Sequence, residues 1–119
     1  MLLVDDEAPI RKLVCRVCQN LGVSECVQAA NVREALAILE SRTVDLVISD
    51  LNMPDETGLV LLKAVKSGKH PVPVIIFSGS LNNSEEDKLR QAGADLIITK
   101  AAELPVIERA IRRFTGLHG

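Results

Sequence analysis

The sequence predicts an α/β fold: a doubly wound, five-stranded parallel β-sheet with helices on both faces. Short apolar segments alternate along the chain with stretches whose apolar residues have helical spacing. The last three apolar segments are uninterrupted, which is typical of parallel strands buried on both faces. Five strand–helix units in 119 residues average about 24 residues each, which leaves no room for a second domain. We therefore expect one domain over residues 1–119.

Each apolar segment predicts one strand, and the strands are expected over residues 2–4, 26–27, 44–49, 72–77 and 96–99. Helices are predicted from apolar stripes that begin at Ile10, Val32, Leu61 and Leu104. Right-handed crossovers between parallel strands place these helices on both faces of the sheet. The helix predicted over 85–92 has only Leu89 and Ala92 on its apolar face. We therefore expect it to be the least firmly packed.

Capping residues predict where the helices begin and end. Pro9 suits a first helical turn. Two pairs resemble capping boxes, in which two residues three apart bond to each other's backbone: Asn31 with Glu34, and Ser84 with Asp87. Three glycines follow helical stretches and are expected to end them: Gly22, Gly68 and Gly93.

The composition excludes several classes of protein. With 47% apolar and 25% charged residues, the chain resembles a folded globular protein and not a disordered one. Fourteen Lys and Arg against sixteen Asp and Glu give a net charge of −2, so direct nucleic-acid binding through phosphate neutralisation is not expected. No apolar run approaches the ~20 residues of a membrane span, and no basic segment precedes an apolar one as in a secretory leader. We therefore expect a cytoplasmic protein that does not enter the membrane.

The three cysteines are expected to be free thiols. An odd number fits a reducing compartment better than a disulfide framework. Cys15 and Cys18 form a CxxC pair, but with only Cys26 besides them a zinc site cannot be completed from cysteine. The most typical role for such residues is that of small buried hydrophobes.

Polar side chains follow four of the predicted strands. Asp5 and Asp6 follow the first, Asp50 the third, Ser78 the fourth and Lys100 the fifth. The carboxyl ends of parallel strands meet at one edge of the sheet, where function resides in such folds. Three neighbouring carboxylates repel one another unless a cation joins them, and Mg²⁺ prefers oxygen ligands and leaves positions open for phosphate. The pattern therefore indicates phosphoryl transfer to a carboxylate, with the metal, a Lys and a Ser neutralising charge.

Four motifs resemble those of the receiver domains of two-component response regulators, which include chemotaxis regulators: VDDE at 4–7, SDLNMPDETG at 49–58, FSG at 77–79 and GADLIITK at 93–100. The resemblance covers nearly the whole chain and implies the strand order 2-1-3-4-5. It implies that Asp50 is the phosphoacceptor, and that Mg²⁺ (or Mn²⁺) is held by Asp5, Asp6, Asp50 and the backbone carbonyl of Asn52. By the same resemblance Ser78 is the switch hydroxyl and Lys100 pairs with the phosphate.

Two positions depart from the family pattern. The family usually has a proline joined by a cis bond after the conserved lysine, whereas Ala101 follows Lys100. Because a cis bond before other residues costs about 2.5–4 kcal/mol, this bond is expected to be trans or strained, which affects how Lys100 is placed. The family also commonly has Tyr or Phe where Ile97 stands. Being β-branched and stiff, Ile97 cannot perform the rotation of that aromatic ring.

Other functional classes explain the residues less well. A purely structural domain whose acids are helix caps does not account for five polar groups at strand ends. An aspartyl-phosphate-forming phosphatase of the haloacid-dehalogenase type needs a second acid two residues after the nucleophile, where this chain has Asn52. A flavodoxin-like nucleotide-binding module would need a glycine-rich phosphate loop after the first strand, where Asp5 and Asp6 stand.

The resemblance implies a signalling protein and not a turnover enzyme, with Mg²⁺-dependent self-phosphorylation and self-dephosphorylation. The expected donor is a histidine kinase, a phosphotransfer protein or a small acyl phosphate. The expected switching surface combines the helix over 85–92, the last strand and the helix over 104–114, and serves a downstream effector or a second copy. Because no effector domain follows Gly119, the chain is expected to be a stand-alone receiver or a part of a larger regulator or hybrid kinase.

Overall fold

A single parallel sheet forms the centre of the protein in the computed structural model, which describes residues 1–23, 25–79, 81–102 and 104–115. Its strands are β1 (Leu2–Val4), β2 (Val27–Ala29), β3 (Val47–Ser49), β4 (Val74–Ser78) and β5 (Leu96–Thr99). The order across the sheet is β2-β1-β3-β4-β5, and all neighbouring pairs are parallel. The doubly wound fold and its strand order are therefore confirmed.

Five helices cover the two faces: α1 (Ala8–Asn20), α2 (Val32–Ser41), α3 (Gly58–Ser67), α4 (Asn83–Gln91) and α5 (Leu104–Thr115). One apolar cluster joins the sheet to α1 and α5, and a second joins its other face to α2, α3 and α4. Within the described part of the chain, no helix combines the length and the apolar character that a bilayer crossing needs.

Alternation along each strand divides the side chains between these two clusters. Leu3 and Ile48 point to the α1–α5 side, whereas Leu2, Val4 and Val47 point to the α2–α4 side. Because both faces are covered, the strands read as continuous apolar runs in the sequence. The strands predicted over 44–49 and 72–77 begin later, at Val47 and Val74. Val44 and Val72 pack in the apolar core but are not part of the strands.

The helix starts agree with the capping predictions at α1 and α2 and differ at α4. The Asn31 side chain accepts the N–H of Glu34 at 2.8 Å. The prediction of a cap at Ser84 and Asp87 is wrong, because Asn82 and Glu85 form the capping box. The same three-residue spacing occurs in both pairs, and the longer Glu85 side chain reaches back to the Asn82 N–H at 3.1 Å.

Glycines end three helices, by two different geometries. Gly22 and Gly93 follow α1 and α4 with positive φ angles of 89° and 105°, the left-handed conformation that glycine adopts at helix ends. Gly68 ends α3 in an extended conformation, with φ −75°. All described peptide bonds are trans, including the one between Lys100 and Ala101.

The prediction of three free thiols is wrong. Cys15 and Cys26 form a disulfide, with their Cα atoms 5.9 Å apart. The bond forms because the buried face of α1 packs beside the segment that leads into β2, a proximity that sequence spacing does not reveal. Cys18 stays free and buried, and its burial raises the pKa of the thiol to about 11. The CxxC pair therefore does not act as a unit.

Helix α4 buries fewer residues than any of the other four helices. Leu89 is its one buried residue, whereas α1 and α3 each bury four. Ala92, which caps the helix, is partly buried against the same cluster. The thin apolar stripe predicted for this helix is confirmed, and elements with few buried contacts open at low free-energy cost.

Candidate functional site

The sheet register brings the polar strand ends to one edge. Val4 pairs with Ser49 across β1 and β3, so the residues that follow them, Asp5 and Asp50, are neighbours. The Asp50 N–H donates to the Val4 carbonyl at 2.9 Å. On the other side of β4, the Lys100 N–H donates to the Ser78 carbonyl at 2.8 Å. Predicted site residues from four strands therefore meet at the carboxyl edge.

Lys100 lies at the centre of this edge. Its Nζ is 3.1 Å from Asp5 Oδ2, 3.1 Å from Asp50 Oδ2 and 2.6 Å from Glu7 Oε2. Partial burial acts to lower the pKa of Lys100, but its hydrogen bonds to the three carboxylates outweigh this and raise the pKa. The trans bond to Ala101 therefore leaves Lys100 within reach of the carboxylates.

Four carboxylates are close enough together to share one cation. Oxygens of Asp5, Asp6, Glu7 and Asp50 all lie within 4.8 Å of one another. Asp5 and Asp50 are buried, whereas Asp6 and Glu7 are exposed. Burial is the largest influence on Asp5 and raises the pKa of its carboxyl, although hydrogen bonds from the Glu7 N–H and from Lys100 act to lower it. A further cation would favour the charged form of this buried acid.

The two oxygens of Asp50 have different partners. Oδ1 accepts the N–H of Leu51 at 2.7 Å and that of Asn52 at 3.4 Å. Oδ2 faces Lys100 at 3.1 Å. The carboxylate is therefore oriented by its own loop on one side and by a cation on the other, and the side chain of Asn52 is left exposed.

The loop after Asp50 closes tightly on itself. The Gly58 N–H donates to the Leu51 carbonyl at 2.7 Å, and Asn52 pairs with Thr57 in an isolated β-bridge. A Cβ atom at position 58 would lie 2.3 Å from the Asp50 carbonyl oxygen. Only glycine fits this close approach of two backbone segments.

Asp55 joins the same loop to α2. Its Oδ1 accepts the N–H of Val32 at 3.1 Å and its Oδ2 accepts that of Arg33 at 3.0 Å. Desolvation acts to raise the pKa of Asp55, but hydrogen bonds from Arg33, Val32 and Glu56 hold it below its usual value. With Asn31 bonded to the N–H of Glu34, each of the first three N–H groups of α2 has a side-chain acceptor.

Ser78 ends β4 with its hydroxyl inside the protein. The residue is 1% exposed, and its Oγ has no hydrogen-bond partner among the described residues. A buried hydroxyl without a partner costs free energy. A ligand with acceptor oxygens at this edge would supply one.

Sequence reasoning did not assign three residues that shape the site. Glu7 lies in the VDDE motif, and its position directly after the paired acids is the signal that could have identified it. Gly58 ends the SDLNMPDETG motif, and a glycine at the end of a tight loop is the signal of a close backbone approach. For Asp55, the contact with α2 spans 23 residues of sequence, and no local pattern reveals it.

The sequence is similar to known response regulators and to their receiver domain. A sequence model of the family described as the response regulator receiver domain matches residues 1–112. The chain is 33% identical to the phosphate regulon transcriptional regulatory protein PhoB of Pseudomonas aeruginosa, covering 98% of this chain and 52% of that protein. It is 28% identical to the chemotaxis protein CheY of the same organism, covering 95% and 93%.

The fold is also similar to that of solved structures. The chemotaxis protein CheY4 of Vibrio cholerae superimposes with a TM-score of 0.87 at 30% identity, covering 95% of each chain. The chain thus spans about half the length of PhoB, or 52%. It spans nearly the full length of the two chemotaxis proteins.

Proposed function

The chain belongs to the response regulator receiver domain family, whose members have a phosphoacceptor signalling role, and from that premise we propose that Asp50 is the residue phosphorylated. We further propose that residues 1–119 form one receiver domain. The single observation that carries the assignment is the environment of Asp50: a buried carboxylate with Lys100 Nζ at 3.1 Å and three further carboxylates beside it. The donor is a histidine kinase, a phosphotransfer protein or a small acyl phosphate.

The residues at this edge fit Mg²⁺ or Mn²⁺. All the side-chain donors are carboxylate oxygens, the ligands that such hard ions prefer. Asp5, Asp6, Asp50 and the backbone carbonyl of Asn52 would hold the ion. When bound, it neutralises charge that develops on the transferred phosphoryl oxygens.

The chain's own groups supply the rest of the reaction. A carboxylate oxygen of Asp50 forms the new bond to phosphorus, while the bond between phosphorus and the donor breaks and the donor keeps the electron pair. The Leu51 N–H at 2.7 Å fixes the carboxylate in place. Lys100 and the Ser78 hydroxyl are proposed to bind the equatorial phosphoryl oxygens, which is where charge accumulates in phosphoryl transfer. Water later attacks the phosphorus, the bond between phosphorus and the Asp50 oxygen breaks, and inorganic phosphate leaves while Asp50 returns to the free carboxylate.

Turnover as a phosphatase-like enzyme is the weaker alternative. Receiver domains are signalling domains and not classical enzymes. Asn52 occupies the position at which a phosphatase of the aspartyl type would need its general acid. A carboxamide donates hydrogen bonds but does not release a proton near neutral pH, so it cannot act as a general acid.

Intact-mass measurement tests the assignment of Asp50. Incubation with an acyl phosphate and Mg²⁺ is expected to add one phosphoryl group, and chelation of the metal is expected to prevent it. Asp50→Asn is expected to stay unmodified, because an amide is not a nucleophile of comparable strength. Asp45→Asn, which changes an exposed acid before β3, is the matched control and should be modified like the wild type. A phosphoryl group on the Asp50→Asn protein would refute the assignment.

We propose that the signal leaves through the α4–β5–α5 surface, formed by these three elements. Ile97 of β5 is partly buried in the apolar cluster that contains Leu89, so it cannot rotate outward as an aromatic ring would. The mobile part is therefore α4, with its single buried residue. On α5, Leu104 and Val106 are each 44% exposed, and this apolar area suits a downstream effector or a second copy of the chain.

Hydrogen exchange with and without the phosphate mimic beryllium fluoride tests this route. Altered protection is expected to cluster between residues 81 and 92 and to extend to α5, since weakly packed elements respond at the lowest cost. Helix α3, which buries four residues, serves as the internal reference and should change little. Changes limited to the loops around Asp50 would contradict the proposed route.

A further inference from the structure

The ammonium group of Lys100 has no donor to spare. Lysine carries three N–H donors, and three carboxylates lie within 3.1 Å of Nζ, those of Glu7, Asp5 and Asp50. The contact with Glu7 is the shortest, at 2.6 Å. A phosphoryl group on Asp50 therefore meets a lysine whose donors are already engaged.

Of the three carboxylates, Glu7 is the one able to withdraw. Its side chain is 56% exposed, whereas those of Asp5 and Asp50 are 2% and 7% exposed. Its carboxylate makes no capping bond to α1, although Glu7 is the N-cap residue. Released from Lys100, it turns into water, which solvates a carboxylate well. The buried acids have no such alternative.

We propose that Glu7 holds Lys100 in the resting protein and competes with the phosphoryl group on Asp50 for this lysine. Glu7 is then a positioning residue that weakens the binding of Lys100 to the phosphoryl group. This inference rests on the proposed function of Asp50. The Glu7 side chain is 56% exposed, and an ion pair with one partner open to water is weak. A doubly charged phosphoryl group binds the same partly buried lysine more strongly. The exchange of Glu7 for the phosphoryl group is therefore favourable. Lys100 nevertheless binds the phosphoryl group more weakly than a lysine without a competing carboxylate would.

Binding of beryllium fluoride with Mg²⁺ to the full chain, measured by titration calorimetry, tests this competition. Glu7→Gln is expected to bind the mimic about two- to fivefold more tightly, the range that the loss of an exposed ion pair allows. Its affinity for Mg²⁺ alone should not rise, because the substitution removes a negative charge from beside the proposed metal site. A marked loss of Mg²⁺ affinity would assign Glu7 to the metal instead and overturn the inference.

Two further variants separate the contact with Lys100 from the general effect of charge. Glu7→Asp keeps the charge, but the shorter side chain suits the N-cap position of α1 and is drawn away from Lys100. It should also tighten binding of the mimic. Glu56→Gln removes one exposed charge from the loop after β3 and should leave binding unchanged. If Glu56→Gln tightens binding as much as Glu7→Gln does, competition for Lys100 is wrong.

The same titrations distinguish this inference from the proposed function. Wild-type binding that is lost in Asp50→Asn supports the proposed function, and equal binding by both proteins would overturn the function and the inference together. Binding that depends on Asp50 but is not tightened by Glu7→Gln or Glu7→Asp overturns the role of Glu7 alone.

Discussion

Replacing Gly58 by alanine is expected to lower the free energy of unfolding by about 3 kcal/mol, at the upper end of the range for overpacking. The added Cβ would lie 2.3 Å from the Asp50 carbonyl oxygen and 3.1 Å from the Leu51 Cα. Both atoms belong to the backbone and cannot move away without displacing Asp50 itself. Phosphoryl transfer to Asp50 should therefore fall sharply as well.

Urea unfolding followed by far-ultraviolet circular dichroism measures the loss, since the chain has neither Trp nor Tyr. Gly79→Ala is the matched control at the end of β4, where a Cβ would meet no atom within 4 Å. It is expected to change the stability little. Equal stability of the two variants would show that the close approach at Gly58 is not a constraint in solution.

Lys100→Ala is expected to lower the free energy of unfolding by about 3 kcal/mol in the absence of metal, as is typical when one partner of a buried ion pair is removed. The substitution leaves the buried carboxylates of Asp5 and Asp50 facing each other without a cation between them. Added Mg²⁺ should restore most of the lost stability, because it takes over this neutralising role. The variant should bind Mg²⁺ but respond poorly to phosphorylation.

Unfolding with and without Mg²⁺, together with amide NMR spectra with and without beryllium fluoride, checks these expectations. Lys66→Ala is the control, because Lys66 forms an ion pair with Asp95, with 2.7 Å between Nζ and Oδ2, away from the acidic cluster. Its stability should not depend on Mg²⁺ more than that of the wild type. Phosphate-dependent shifts of wild-type size in Lys100→Ala would remove Lys100 from the proposed mechanism.

The part of the site that the sequence predicts is the part fixed by strand register. Asp5, Asp50 and Lys100 each follow a strand directly, so a parallel sheet has to bring them to one edge. Glu7 lies between β1 and α1, so its contact with Lys100 depends instead on the direction in which its side chain points. Periodicity carries no information on that direction.

The features that sequence reasoning missed are contacts between elements that it treats one by one. The disulfide between Cys15 and Cys26 depends on how α1 packs beside the entry to β2, and three cysteines are compatible with one such bond as well as with none. The start of α4 was misplaced because Asn82 with Glu85 and Ser84 with Asp87 satisfy the same spacing. Only the reach of the Glu85 carboxylate separates the two possibilities.

The hydrogen bonds that Asp55 accepts from the Val32 and Arg33 amides give the loop between β3 and α3 a built-in spectroscopic reporter. These two N–H groups belong to α2, the helix that follows β2. Strand β2 is at the opposite edge of the sheet from β5, which is part of the α4–β5–α5 surface. Amide chemical shifts respond to small changes in hydrogen-bond length, so any displacement of the loop is registered at two backbone positions that take no part in the chemistry. In a chain without tryptophan or tyrosine, this pair of signals replaces the fluorophore that such a measurement would otherwise need.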